Sequence, residues 1–278
     1  MIYPQNIEQK IDFQVIRDCL KSCCTSSLGK ERVDEMLWVN HYKTVQNRLA
    51  HLREMMNVLT DSSLSFPQGD IYDLREALAR IRVEGLFMDE NELFSLRKML
   101  DYVGQLERFF TLLDREKYPL LASLPLTSFP SHLIVAIDRI IDRYGKMKDS
   151  ASPELARIRK DIAQSQGSVS RALNAILRQA QAEGLLDKDA APTMREGRLV
   201  LPVPPAYKRK IGGIVHDESA TGKTVFIEPQ QVVEANNRIR ELEGEERRER
   251  IRILLEITAQ LRPDIPHILE TETYLGEV

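Results

Sequence analysis

The sequence predicts a mainly α-helical protein with a small β insertion: a helical bundle, two long antiparallel helical arms, and a β-rich tip between them. Three observations carry this. Gly and Pro number only 13 each in 278 residues, a low share that suits long helices. Two stretches of about thirty residues keep helical apolar spacing without an internal Pro. Between them stand short β-branched and aromatic runs broken by glycines and prolines.

Residues 1–150 read as a string of amphipathic helices. Phe13, Ile16, Leu20 and Cys23 recur at steps of three and four, as do Val45, Leu49, Leu52, Met56 and Leu59. Each such stripe is expected to lie on a neighbouring helix. The clearest helix start is Asp89-Glu90-Asn91-Glu92, which has capping-box spacing. Leu93, Leu96, Leu100, Val103, Leu106 and Phe110 follow on one face. Polar turns are expected at 67–70, 119–130 and 145–152. Cys19, Cys23 and Cys24 share one helical stretch with no distant partner, so they read as small apolar fillers rather than as disulfide or zinc ligands.

Ser152 before Pro153 is a hydroxyl cap ahead of a first-turn proline, and helical spacing then continues to Gly184. At ~1.5 Å per residue, an arm of roughly 31 residues reaches about 46 Å. A return arm opens at Glu228-Pro229 and closes before Pro263. Setting residue 153 against 262 places Ile158 opposite Ile257, Ile162 opposite Ile253, Leu173 opposite Leu242 and Ile176 opposite Ile239. In that register the polar stretch Gln164 to Ser168 meets the charged run Glu243 to Arg250, so both seams lapse together. The alternating charges of Glu241 to Arg252 are expected to solvate the return arm. Leu199 to Val203 and Thr224 to Ile227 are expected to form a small antiparallel sheet.

Formal charge is 39 basic against 42 acidic, or −3, which excludes a blanket attraction to nucleic acid but leaves room for a local basic patch. Arg195, Arg198, Lys208, Arg209 and Lys210 supply such a patch, with Tyr207 beside its densest part and Glu196 as the single acid among them. These six residues are the candidate nucleic-acid contacts; the competing reading is a charged strand edge that resists aggregation. Ala220-Thr221-Gly222-Lys223-Thr224 looks like the end of a nucleotide-binding loop. The glycine such a loop needs five positions before Gly222 is Asp217, and a strand rather than a helix is expected next, so the segment reads as a hairpin turn. His216 to Ser219 reads as a surface turn, and the five histidines show no ligand spacing. No apolar run is long enough for a membrane span and the first ten residues lack a signal-peptide pattern, so the expected location is cytoplasmic with no membrane contact.

The run from Arg195 to Val203, then Tyr207-Lys208, then Gly213 through Pro229, resembles the clamp of the bacterial MutS-II family, the MutS paralogues without an N-terminal mismatch-reading domain. Asp149 to Leu155 and Glu234 to Leu242 are similar to that family as well, while the first 140 residues agree in helical layout with weaker motifs. Lys223 departs from the small residue usual at its position, so the Walker-like look is incidental. The resemblance implies a helical core and lever over 1–150, an outgoing arm over 151–187 and a clamp tip over 188–229. A return arm over 230–262 and the start of a truncated helix over 263–278 complete the layout. It also implies that the family's ATPase domain would follow and its small MutS-related nuclease domain would come last. Neither is expected in this segment, which is therefore expected to be no enzyme and to need no cofactor; ATP and magnesium would belong to the ATPase domain. Full-length relatives are implied to be ATP-driven homodimers that act on branched or duplex DNA to suppress recombination, or bind ribosomal RNA and split collided ribosomes. The alternative function is a coiled-coil adaptor presenting its tip to a protein partner. Steep salt dependence of binding marks the first.

Overall fold

A computed structural model describes residues 7–124 and 130–277. The chain forms two compact units, residues 1–148 with 254–278, and residues 149–253. The architecture is mainly helical with one four-stranded antiparallel sheet.

The first unit contains α1 (Ile7–Lys10), α2 (Phe13–Cys23), α3 (Ser27–Asp34), α4 (Tyr42–Thr60), α5 (Arg75–Arg80), α6 (Glu90–Leu112) and α7 (His132–Ile140). Helix α6 is its axis. Asp89 accepts from the Glu92 N–H at 2.8 Å while Glu92 accepts from the Asp89 N–H at 2.9 Å, the reciprocal cap expected from the sequence. Leu93, Leu96, Leu100, Val103, Leu106 and Phe110 are buried along one face, joined by Met99. Phe66, Phe109 and Phe110 meet edge to face. Where a turn is expected at 145–152, the chain turns over 142–146, closed by a bridge between Ile141 and Met147, and a short helical turn follows at Asp149–Ala151. Of the expected 119–130 turn, residues 125–129 lie outside the described residues.

The apolar stripes of α2 and α4 depart from expectation. Ile16, Leu20, Leu49, Leu52, Met56 and Leu59 are all exposed, and Val58 is the buried residue of α4. In α2 the buried residue is Arg17, which donates to the carbonyls of Val33 at 2.6 Å and Met36 at 2.9 Å and so caps the end of α3. Amphipathic spacing found the helices but not their covering surface. Cys19 and Cys23 are likewise exposed rather than filling a core.

The second unit contains α8 (Pro153–Ala182), β1 (Thr193–Arg195), β2 (Arg198–Val203), α9 (Lys208–Ile211), β3 (Gly213–Glu218), β4 (Val225–Pro229) and the greater part of α10 (Gln230–Leu261). The last helix, α11 (Ile265–Glu277), returns to the first unit. Ser152 caps α8 by accepting from the Leu155 N–H at 3.0 Å, and Pro153 fills its first turn. The strands run in the order β1-β2-β4-β3. Val169, Leu173, Leu177 and Ala180 of α8 share one core with Leu201 and Val203 of β2, Val225 and Ile227 of β4, and Val232 and Ile239 of α10.

The two long helices are matched in a different register from the expected one. Ser152 donates to Glu249 at 2.6 Å, Arg159 donates to Glu246 at 2.8 Å, and Arg157 lies 3.8 Å from Glu245. Relative to the expected alignment α10 is displaced by roughly three turns. Gln164, Ser165 and Ser168 therefore line a polar hollow with Arg238 and Leu242, while the charged run around Glu246 and Glu249 faces the start of α8. Cross-helix polar contacts, which apolar periodicity does not reveal, mark this alignment beside the shared apolar core. They also correct the reading of Glu241 to Arg252 as a purely solvated face, since Glu249 is buried. Hydrogen bonds from Arg252, outweighing desolvation, hold its carboxyl down at about 2, with Ser152 contributing. Ile158 and Ile257 fall in different units.

Candidate nucleic-acid interface

The hairpin joining β1 to β2 turns at Glu196 and Gly197, whose φ angles are 48° and 72°. Both are left-handed, the geometry that matches the twist of paired strands. The Glu196 carbonyl accepts from the Arg240 guanidinium of α10. Arg195 and Arg198 flank this turn as a cross-strand pair.

Arg198 does not face solvent as a free cation. Its guanidinium donates to both Glu228 oxygens, at 2.8 and 3.0 Å, and to Asn237 at 2.7 Å, and the side chain is only 15% exposed. Arg195 stacks 4.2 Å from the centre of the Phe226 ring. Its Nε sits 3.2 Å from Asp217 without the alignment of a hydrogen bond, and its Nη1 donates to the Met194 carbonyl. Both arginines are thus engaged within the sheet.

Lys208, Arg209 and Lys210 are placed otherwise. Pro204 and Pro205 start a tight helical turn, closed by the Tyr207 N–H donating to the Pro204 carbonyl at 2.9 Å, and α9 continues from it. Tyr207 and Ile211, four residues apart and so on one helical face, pack against the unit's core. The three residues between them are left exposed, and no ion pair engages any of the three among the described residues. The Lys210 ammonium lies 5.9 Å from the Tyr207 ring centre. Gly212, with φ of 65°, ends the turn, and at Gly213 a Cβ would stand 2.1 Å from the Glu228 carbonyl oxygen. Glycine at 213 is what lets the basic turn seat this close to β4. The expected six-residue patch therefore divides into three solvent-facing cations beside Tyr207, a half-exposed Arg195 next to Asp217, and an Arg198 bound inside.

Beneath lies a polar centre that sequence reasoning missed. Glu228 on β4 has no exposed surface. It accepts from Asn236 at 2.7 Å and from Arg198, and it pairs with His216 Nε2 at 2.6 Å. Desolvation alone would raise its pKa, but hydrogen bonds from Asn236, His216 and Arg198 outweigh that and hold the carboxyl below its ordinary value. His216 reaches inward because β3 bulges between Val215 and Asp217, which breaks the strict alternation of faces. It is therefore not a surface-turn residue. The sequence signal was a charged residue inside the buried run Val225 to Pro229, followed eight positions later by Asn236, a weak helix former placed inside a helix.

The Gly222–Lys223 segment forms the turn between β3 and β4: Ser219 N–H donates to Thr224 O and Gly222 N–H to Ser219 O, each at 2.8 Å. Strand β4 follows directly, so no helix N-terminus stands behind Lys223 and the turn does not fit a nucleotide phosphate. Among the described residues no helix is long and apolar enough to cross a membrane.

No protein-family profile matches the chain. Curated proteins do. A protein named Endonuclease MutS2 from a Geobacillus species is 34% identical over 272 residues, covering 96% of this chain and 34% of its own length. The Endonuclease MutS2 of Symbiobacterium thermophilum is 34% identical over 96% of this chain and 33% of its own. That of Halalkalibacterium halodurans is 32% identical over 99% and 35%. The chain spans about a third of the length of the curated relatives it matches.

Proposed function

From the premise that this chain is a MutS2-like segment, we propose that it is the lever and clamp of such a protein, and that it grips nucleic acid through Lys208, Arg209 and Lys210. The observation that carries the reading is the basic turn: three adjacent exposed cations, free of ion pairs among the described residues, between Tyr207 and Ile211, which pack half-buried against the unit's core. Cations at such a turn suit phosphate oxygens, which position a protein on a polymer without reading its sequence. Arg198 acts one layer below, through Glu228, as a positioning residue, and Tyr207 supports Lys210.

The target proposed is a branched or duplex DNA, with ribosomal RNA as the other polymer of the same chemistry, in the cytoplasm. ATP hydrolysis with magnesium, any nuclease step and homodimer formation are proposed for the two thirds of the relatives' length that this chain does not match. Binding of fluorescent four-way junction, linear duplex and ribosomal RNA over a salt series tests the reading. Affinity is expected to fall linearly on a log–log scale as salt rises. Salt-insensitive capture of a protein partner, with no nucleic-acid binding at low salt, would instead support an adaptor.

A further inference from the structure

Helix α4 buries little of itself, yet one of its side chains ties it to a neighbouring segment. Glu54 accepts from the Leu120 N–H at 3.0 Å and from the Leu121 N–H at 2.9 Å, and so caps the helical turn Leu121–Ser123. Beside this tie, α3, α4, α6, the capped turn and α11 border a hollow of about 830 Å³, within the ~300–1,000 Å³ range of small-molecule sites. Its floor is apolar: Phe110 is 1% and Leu121 is 3% exposed. Helix α4 supplies a wall through Arg48, His51, Leu52 and Met55, which stand at i, i+3, i+4 and i+7 and so form one stripe. The stripe is graded, basic in its first turn and apolar in its second. His51 Nδ1 meets the Asn47 carbonyl at 2.8 Å, which orients the ring. Arg32 also borders the hollow but is paired with Glu35 at 2.8 Å, whereas no ion pair engages Arg48 among the described residues.

We propose that this hollow is a binding site for a small amphipathic anion, a medium-chain carboxylate, with its head on Arg48 and its hydrocarbon tail against Met55, Phe110 and Leu121. A planar guanidinium matches a carboxylate through two parallel hydrogen bonds. Once protonated, His51 donates to the same head from Nε2. From Arg48 to Met55 the helix rises about 10 Å, the span of a medium-chain tail laid along it. Such a tail takes the side chain of Leu52, 56% exposed, out of water. One unpaired cation answers one negative charge, so the site does not call for a polyanion, which needs several. The inference concerns the first unit alone and is independent of the basic turn at Lys208.

Isothermal titration calorimetry of the whole chain with sodium decanoate, kept below its micelle concentration, tests the proposal. Decyltrimethylammonium, of like tail and opposite charge, is the control. The variants are Arg48→Glu and Leu52→Glu, both changes at exposed positions, and circular dichroism establishes that each keeps its helix content. Decanoate is expected to bind the wild type with one-to-one saturation. Arg48→Glu is expected to bind it about tenfold more weakly or worse, as the loss of a hydrogen bond to a charged group implies, and Leu52→Glu to bind more weakly as well. Amide hydrogen exchange is expected to slow along α4 and at Leu121 when decanoate is bound. No saturable binding, equal binding of the cationic control, full affinity in Arg48→Glu, or binding only to phosphatidylglycerol vesicles carrying decanoate would each overturn the proposal.

Discussion

Glu228 is a buried carboxylate kept ionised by three donors from three elements: Arg198 of β2, His216 of β3 and Asn236 of α10. Removing one member of such a set leaves an uncompensated charge in the interior, at a cost of about 3–5 kcal/mol. Arg198→Ala is therefore expected to lower the stability of the second unit by about 3 kcal/mol in urea unfolding, whereas Arg209→Ala, a change at the exposed turn, stays within about 0.5 kcal/mol. The pH dependence follows from the direction of the shift. A carboxyl whose folded pKa lies below its ordinary 4.5 contributes fully above that value and loses its contribution as pH falls through the folded pKa. Glu228→Gln is expected to flatten the acid limb of the stability profile. From sequence alone Arg198 and Arg209 look alike. What separates them is a carboxylate thirty residues away from Arg198, brought alongside by the pairing of β2 with β4.

At the scale of elements, α4 and α6 make the clearest contrast. Both are amphipathic in sequence, but Leu100 of α6 has no exposed surface while Leu52 and Met56 of α4 are more than half exposed. Leu100→Ala is expected to cost about 3 kcal/mol, and Leu52→Lys with Met56→Lys at most about 0.5 kcal/mol each; thermal melts of the variants check the difference. Helix α11 supplies a second prediction. Glu272 is buried, one oxygen accepting from the Leu74 N–H at 2.8 Å and the other without a partner among the described residues. Burial, opposed by that hydrogen bond, pushes its pKa from 4.5 up to about 7, with Asp73 raising it further and Arg75 lowering it. The folded state thus keeps a proton the unfolded chain releases, so this stabilisation is complete below 4.5 and is lost as pH rises through about 7. Glu272→Gln is expected to raise the melting temperature at about pH 8 and change it little at about pH 4. Helix starts at Asp89 and Ser152 were legible because capping is local, and so were the strands around the Gly222 turn. The alignment of α8 on α10 was not, because Ser152 with Glu249 and Arg159 with Glu246 are pairings between sites some ninety residues apart.

For the whole molecule, the chain is similar over nearly its entire length to about a third of proteins named Endonuclease MutS2. The resemblance was carried in sequence by the stretch from Gly213 to Pro229, where the close approach at Gly213, the His216 bulge and buried Glu228 coincide. What the stretch could not show was that, of the five clustered cations, only Lys208, Arg209 and Lys210 stand exposed without an ion pair among the described residues. That division is the central claim, and the measurement that tests it most directly is the salt dependence of four-way junction binding by the wild-type chain and by the triple Lys208→Ala, Arg209→Ala, Lys210→Ala variant. The variant is expected to bind more weakly to every polymer by a similar factor, with the slope of log affinity against log salt shallower by ~0.9 for each duplex phosphate it no longer neutralises. Unchanged affinity with an unchanged slope would contradict the account.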